Sequence, residues 1–147
     1  MSGDAISTEH VLVVPISAVA RLFERPAFYA EPATLAFVRN AIYQHGYFVD
    51  RAWAEVNESV KQIVAYGIIR NGDRLLRLRR AAKGKRRALR LRYTVLVGGH
   101  VDDQESKSEH PLEDCLLREI FEELRLRPHQ VPKLLGVVAD PTTAVGR

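Results

Sequence analysis

The chain has 147 residues, 46% hydrophobic and 27% charged, with a formal net charge of +4. These values suit one ordinary globular domain with a real core and exclude a fibrous or intrinsically disordered chain. The first ten residues, MSGDAISTEH, are polar and lack the basic start of a secretory signal, and the apolar run Val11–Ala20 is too short to span a bilayer and is broken by Pro15. A lone cysteine, Cys115, excludes an internal disulfide and suits a reducing cytoplasm; on a helix it reads as a small buried apolar residue.

Taken in order, HVLVVP reads as a short strand and SAVARLF as a short helix. EPATLAFVRNAIYQHG has Pro32 near a helix start, Gly46 at its stop and Leu35, Val38 and Ile42 on one face. YFVDRAWAEVNES follows without a linker; Arg51 and Glu55 are spaced as a helix ion pair, and Trp53 reads as a packing residue. KQIVAYGIIR is apolar and β-branched, Asn71-Gly72 is a strong hairpin signal, and RLLRLRR is the return strand. AAKGKRRA has no apolar pattern and reads as an exposed loop. In LRLRYTVLV, Leu89, Leu91, Tyr93, Val95 and Val97 alternate with Arg90, Arg92 and Thr94. Gly98 and Gly99 end that strand. A polar loop leads to Pro111, which opens a helix over about 111–124 with Leu112, Cys115, Leu116 and Ile120 as its buried stripe. VPKLLGVVAD is a final strand. The order strand, strand, strand, Gly-Gly loop, helix, strand indicates an α/β or α+β domain.

Charge is unevenly spread. From Arg70 to Arg92 there are eleven Lys/Arg and one acid, Asp73, against 11 basic and 17 acidic residues elsewhere. An anionic partner is therefore to be sought beside this segment. Aromatic interleaving is poor there, with Tyr93 alone, which argues against single-stranded nucleic acid. Arg90 and Arg92, on the face opposite Tyr93, are the better candidates for touching a phosphate; a solvated loop and strand face is the plainer reading.

The helix carries Glu119, Glu122 and Glu123 near its C-terminal end, within an arc of roughly 100°. Like charges so spaced cost about 0.2–0.5 kcal/mol per pair, and acids in a last turn oppose the helix dipole by a further ~0.3–1 kcal/mol. Arg118 offsets part of this by reaching Glu122 at i,i+4. Two readings follow: a solvated acidic face, or hard oxygen ligands for Mg²⁺ or Mn²⁺.

A strand ending in Gly-Gly, a loop and then LREIFEEL on a helix resembles the Nudix hydrolase box. That pattern reads Gly, five residues, Glu, seven residues, then Arg-Glu-apolar-x-Glu-Glu-x-Gly-apolar. Gly99 matches its first Gly, Arg118, Glu119, Ile120, Glu122 and Glu123 match its core in order, and Leu126 matches its last position. The upstream VKQIVAYGIIRNGDRLLRLRR is similar to a bacterial branch with an N-terminal extension. The resemblance implies an α/β/α sandwich on a mixed sheet, with residues 1–60 as an N-terminal segment integrated with the core and 61–147 as the Nudix domain. It implies a cytoplasmic Mg²⁺- or Mn²⁺-dependent hydrolase of a nucleoside diphosphate linked to another group. Glu119, Glu122 and Glu123, with the Gly99 carbonyl, would hold the metal or orient the attacking water, and Arg118 would orient the glutamates. Arg90, Arg92 and His100 are the substrate-binding candidates.

The departures from the box are specific. Eight positions before Arg118 stands His110 where the box has Glu, flanked by Glu109 and Glu113 out of register. The loop after Gly99 is about five residues longer than the pattern, and Arg125 replaces the box's second Gly. Only 21 residues follow Leu126, so the domain is expected to be short at its C-terminus, with an open sheet edge that invites a homodimer. The rival expectations are a catalytically inactive nucleotide-binding or interaction module and, more weakly, RNA binding through the basic hairpin.

Overall fold

A computed structural model describes residues 9–79 and 92–141. In chain order the elements are β1 (His10–Pro15), α1 (Ile16–Val19) running into a 3₁₀ turn (Ala20–Phe23), β2 (Ala27–Tyr29), α2 (Pro32–His45), β3 (Tyr47–Asp50), α3 (Arg51–Val56), β4 (Val60–Gln62) and β5 (Val64–Ile68). There follow β6 (Arg70–Asn71), β7 (Arg74–Leu75), β8 (Leu78–Arg79), β9 (Tyr93–Thr94), β10 (Leu96–His100), a 3₁₀ turn (Asp103–Glu105), α4 (Pro111–Leu124) and β11 (Val137–Ala139). Mixed helices and strands make this an α/β protein. Among the described residues no helix is long and apolar enough to cross a membrane.

The described residues divide into two compact units, the first made of residues 9–63, 100–109 and 133–141, the second of 64–79, 92–99 and 110–132. The first is built on β1, which lies between β3 and β4 and runs antiparallel to both. Val11, Leu12, Val13 and Val14 are all buried, so the continuous apolar run is that of a strand covered on both faces. Val11 and Val13 pack with Ala54 of α3 and Val60 of β4. Helix α2 starts with proline in its first turn and turns Val38, Ala41 and Ile42 inward. Asp50 caps α3 by accepting from the Trp53 N–H at 3.0 Å. The expected pair of Arg51 with Glu55 forms at 3.0 Å, and Arg51 also reaches Glu9 at 2.8 Å. Trp53 differs from expectation: it is 42% exposed. The strand expected over Val131–Asp140 is only β11, paired antiparallel with β2.

The second unit holds β5 paired with β10, the hairpin β6–β7, the pair β8–β9 and helix α4. The hairpin turns through Gly72-Asp73, with Asn71 opposite Arg74. Gly72 has φ +62° and Asp73 is not positive, the signature of a type II′ turn rather than the Asn-Gly type I′ turn. The alternation expected up to Val97 breaks within its described part: Val97 is buried, but Tyr93 and Val95 are exposed. The cause is local, since the Thr94 hydroxyl accepts from the Leu96 N–H at 3.0 Å and takes that donor out of a ladder. Leu89, Arg90 and Leu91 lie outside the described residues.

Helix α4 occupies the expected span, with Cys115 and Ile120 buried and Leu112 and Leu116 half-buried. The Leu116 methyls lie against Gly67 of β5. Its last turn closes by the Arg125 N–H donating to the Phe121 carbonyl at 2.9 Å, with Arg125 left-handed at φ 56°, ψ 26°. An L-residue there costs about 1–2 kcal/mol, partly offset by the Arg125 guanidinium over the Phe121 ring at 5.5 Å. Arg125→Gly should raise stability by about 1 kcal/mol in urea denaturation; an unchanged or lower midpoint would show that the ring contact outweighs the backbone strain.

Candidate active site

The site is assembled within the second unit from α4 and the glycine end of β10. The Glu119 carboxylate lies on the backbone of Gly99: a Cβ at that glycine would stand 2.5 Å from Glu119 Oε1. The absence of a side chain at Gly99 is what makes the cradle. One turn of helix places Arg118 beside both remaining groups of the core. Its Nη1 donates to Glu119 Oε1 at 3.1 Å and to Glu122 Oε2 at 3.3 Å, and its Nη2 donates to Cys115 Sγ at 3.7 Å. The Cys115 thiol in turn donates to the Gly99 carbonyl at 3.7 Å. The Arg118 and Glu119 side chains are 16% and 17% exposed, whereas Glu122 is 51% exposed.

Burial pushes the Glu119 carboxyl above the usual carboxylate range; the Arg118 guanidinium pulls it back, and Glu122 and Glu123 push it further up.

The acids expected to act together are thus partly gathered. Glu119 and Glu122 share Arg118; Glu123 is exposed on the same helix end. Among the described residues no three His, Cys, Asp or Glu side chains converge as a cage. The donor set nevertheless fits a hard divalent cation in kind: carboxylate oxygens, a backbone carbonyl and the cradle on Gly99, with Glu122 and Glu123 exposed enough to swing. His100, the end of β10, is half-buried; Arg92 is exposed; Arg90 lies outside the described residues. On the basic hairpin, Arg77 stacks over the Tyr93 ring at 4.4 Å.

One acid was passed over by counting back from Arg118. Counting forward from Gly99 by the box spacing lands on Glu105, so in sequence the extra residues fall between Glu105 and Arg118. Glu105 is 5% exposed. In the first unit it accepts from the Asp102 N–H at 3.1 Å, while Asp102 accepts from the Gln104 N–H at 2.9 Å, a reciprocal box that closes the 3₁₀ turn.

A family model for the Nudix domain matches residues 60–146. The chain belongs to the Nudix family. The fold agrees: the crystal structure of Tm1382, a candidate Nudix hydrolase, aligns with a TM-score of 0.74 and 28% identity over 94% of this chain and 70% of that chain. No curated protein sequence matches it. Nudix proteins as a family are hydrolases of the phosphoanhydride type and generally work with divalent metals, which gives the shared acids at Gly99 their context.

Proposed function

We propose that this Nudix protein is a cytoplasmic Mg²⁺- or Mn²⁺-dependent hydrolase of a nucleoside diphosphate linked to another group. The observation that carries the reading is the Glu119 carboxylate seated on Gly99 with Glu122 tied to it through Arg118. Glu119, Glu122, Glu123 and the Gly99 carbonyl would hold the metal. A bound divalent ion supplies neutralisation of the bridging oxygens and a lowered pKa for its water. Glu119 and Glu122 orient the attacking water, and Arg118 keeps the two carboxylates aimed at one place while their charge is uncompensated. Arg90, Arg92 and His100 are assigned to the substrate phosphates.

A second reading, a nucleotide-binding module without turnover, is favoured by one observation: Arg118 already occupies both carboxylates. The two separate in one assay. Release of a phosphate-containing product from a panel of nucleoside diphosphate derivatives should require Mg²⁺ or Mn²⁺ and fall by roughly 100-fold in Glu122→Gln. Retained metal-dependent nucleotide binding without turnover would replace the enzyme with the module.

A further inference from the structure

Four residues of the site form a closed ring of contacts. Gly99 touches Glu119, Glu119 is bonded to Arg118, Arg118 to Cys115, and Cys115 back to the Gly99 carbonyl. Cys115 is fully buried, so both of its contacts are shielded from water. A thiol has one hydrogen to give and weak lone pairs to receive with, and here both capacities are used. The small apolar residue that the helical stripe calls for needs neither.

We propose that Cys115 is a positioning residue for this site: its thiol holds one end of the Arg118 guanidinium beside the Gly99 carbonyl and so aims the other end at Glu119 and Glu122. The purpose of those acids rests on the function proposed above; the contacts themselves do not. The guanidinium is planar and rigid. Fixing Nη2 on the sulfur therefore fixes the direction in which Nη1 points. The sulfur also gives Arg118 an acceptor to keep when the carboxylates turn to a cation, and it orients a carbonyl assigned to the same cation. Partners one step removed from a metal commonly carry about 10–100-fold in its affinity.

The test compares Cys115→Ser, which keeps a donor and an acceptor, with Cys115→Ala and with Cys115→Val, which fills the volume without hydrogen bonding. In the metal-free protein, nitrogen NMR reads the Arg118 guanidinium. Held at both ends, its two Nη groups give separate signals. They should merge in the alanine and valine variants and stay separate in the serine variant. Mn²⁺ titration should show affinity about tenfold weaker in the alanine and valine variants and near wild type in the serine variant. Separate Arg118 signals in all three variants, or equal loss in all three, would reduce Cys115 to packing and overturn the proposal. Wild-type protein that binds no Mn²⁺ would overturn the reading of the acids instead, and the Arg118 signals would still decide on the thiol.

Discussion

Glu119→Gln should lower turnover by roughly 100-fold or more and at the same time raise the melting temperature of the metal-free protein at neutral pH. The first follows from the role proposed for Glu119 at the metal and water, the second from its burial. The Glu119 carboxylate is half-buried against Gly99, and desolvation is the largest influence on its proton affinity, holding its pKa above the usual carboxylate range against the pull of Arg118. The folded chain therefore binds this proton more tightly than the unfolded chain does. By linkage, that tighter binding stabilises the fold fully below the unfolded pKa and is lost as pH rises through the folded one. Above that point the ionised group is a net cost, which an amide of the same shape does not carry. Thermal melts of both proteins in EDTA, from about pH 4 to pH 8 around the carboxylate range, should converge at the acid end and separate toward neutrality. A variant less stable than wild type at pH 8 would mean that the bond to Arg118 outweighs desolvation.

Gly98→Ala should cost at least about 3 kcal/mol, the range of severe single substitutions, and in a domain of ordinary stability, about 5–15 kcal/mol, it should yield little folded protein. Gly98 has φ +149°, a region that L side chains rarely adopt. A Cβ there would also run into the Ala65 carbonyl, with the Ala65 carbon and the Tyr66 Cα close behind. Those atoms are backbone of β5, so nothing flexible can yield; the β5–β10 pair itself has to open. Because Gly99 is the next residue, the cradle for Glu119 should be lost with it. Urea denaturation, or the soluble yield if the protein does not fold, measures this. A variant with a midpoint within about 1 kcal/mol of wild type would mean that the two strands can part locally without cost to the core.

Local chemistry made some features readable in advance. Proline at its start and a period-four apolar stripe bounded α4, and Arg125 stands where the box has glycine, a position that the structure shows to be left-handed. The order Arg118, Glu119, Glu122, Glu123 carried the family. Other features were not readable because they depend on which partner a segment meets. KQIVAYGIIR looks like one strand, yet β4 pairs with β1 and β5 pairs with β10. The change of partner occurs at Ile63, whose N–H donates to the Leu12 carbonyl while its own carbonyl accepts from the Val101 N–H. Nothing in the apolar pattern of that run records such a switch.

The sequence by itself determined which acids share a helix face, where that helix begins and ends, and that the glycine pair precedes it, because helix period and caps are properties of neighbours along the chain. Only the tertiary structure decided that Glu119 is half-buried on Gly99 while Glu122 stays exposed, that Arg118 spans both, and that Cys115 ties that arginine to the glycine carbonyl. Those facts come from the approach of α4 to the end of β10, a contact between segments separated by a loop whose length obeys no periodic rule. Burial, the largest influence on the proton affinity of Glu119, follows from that approach.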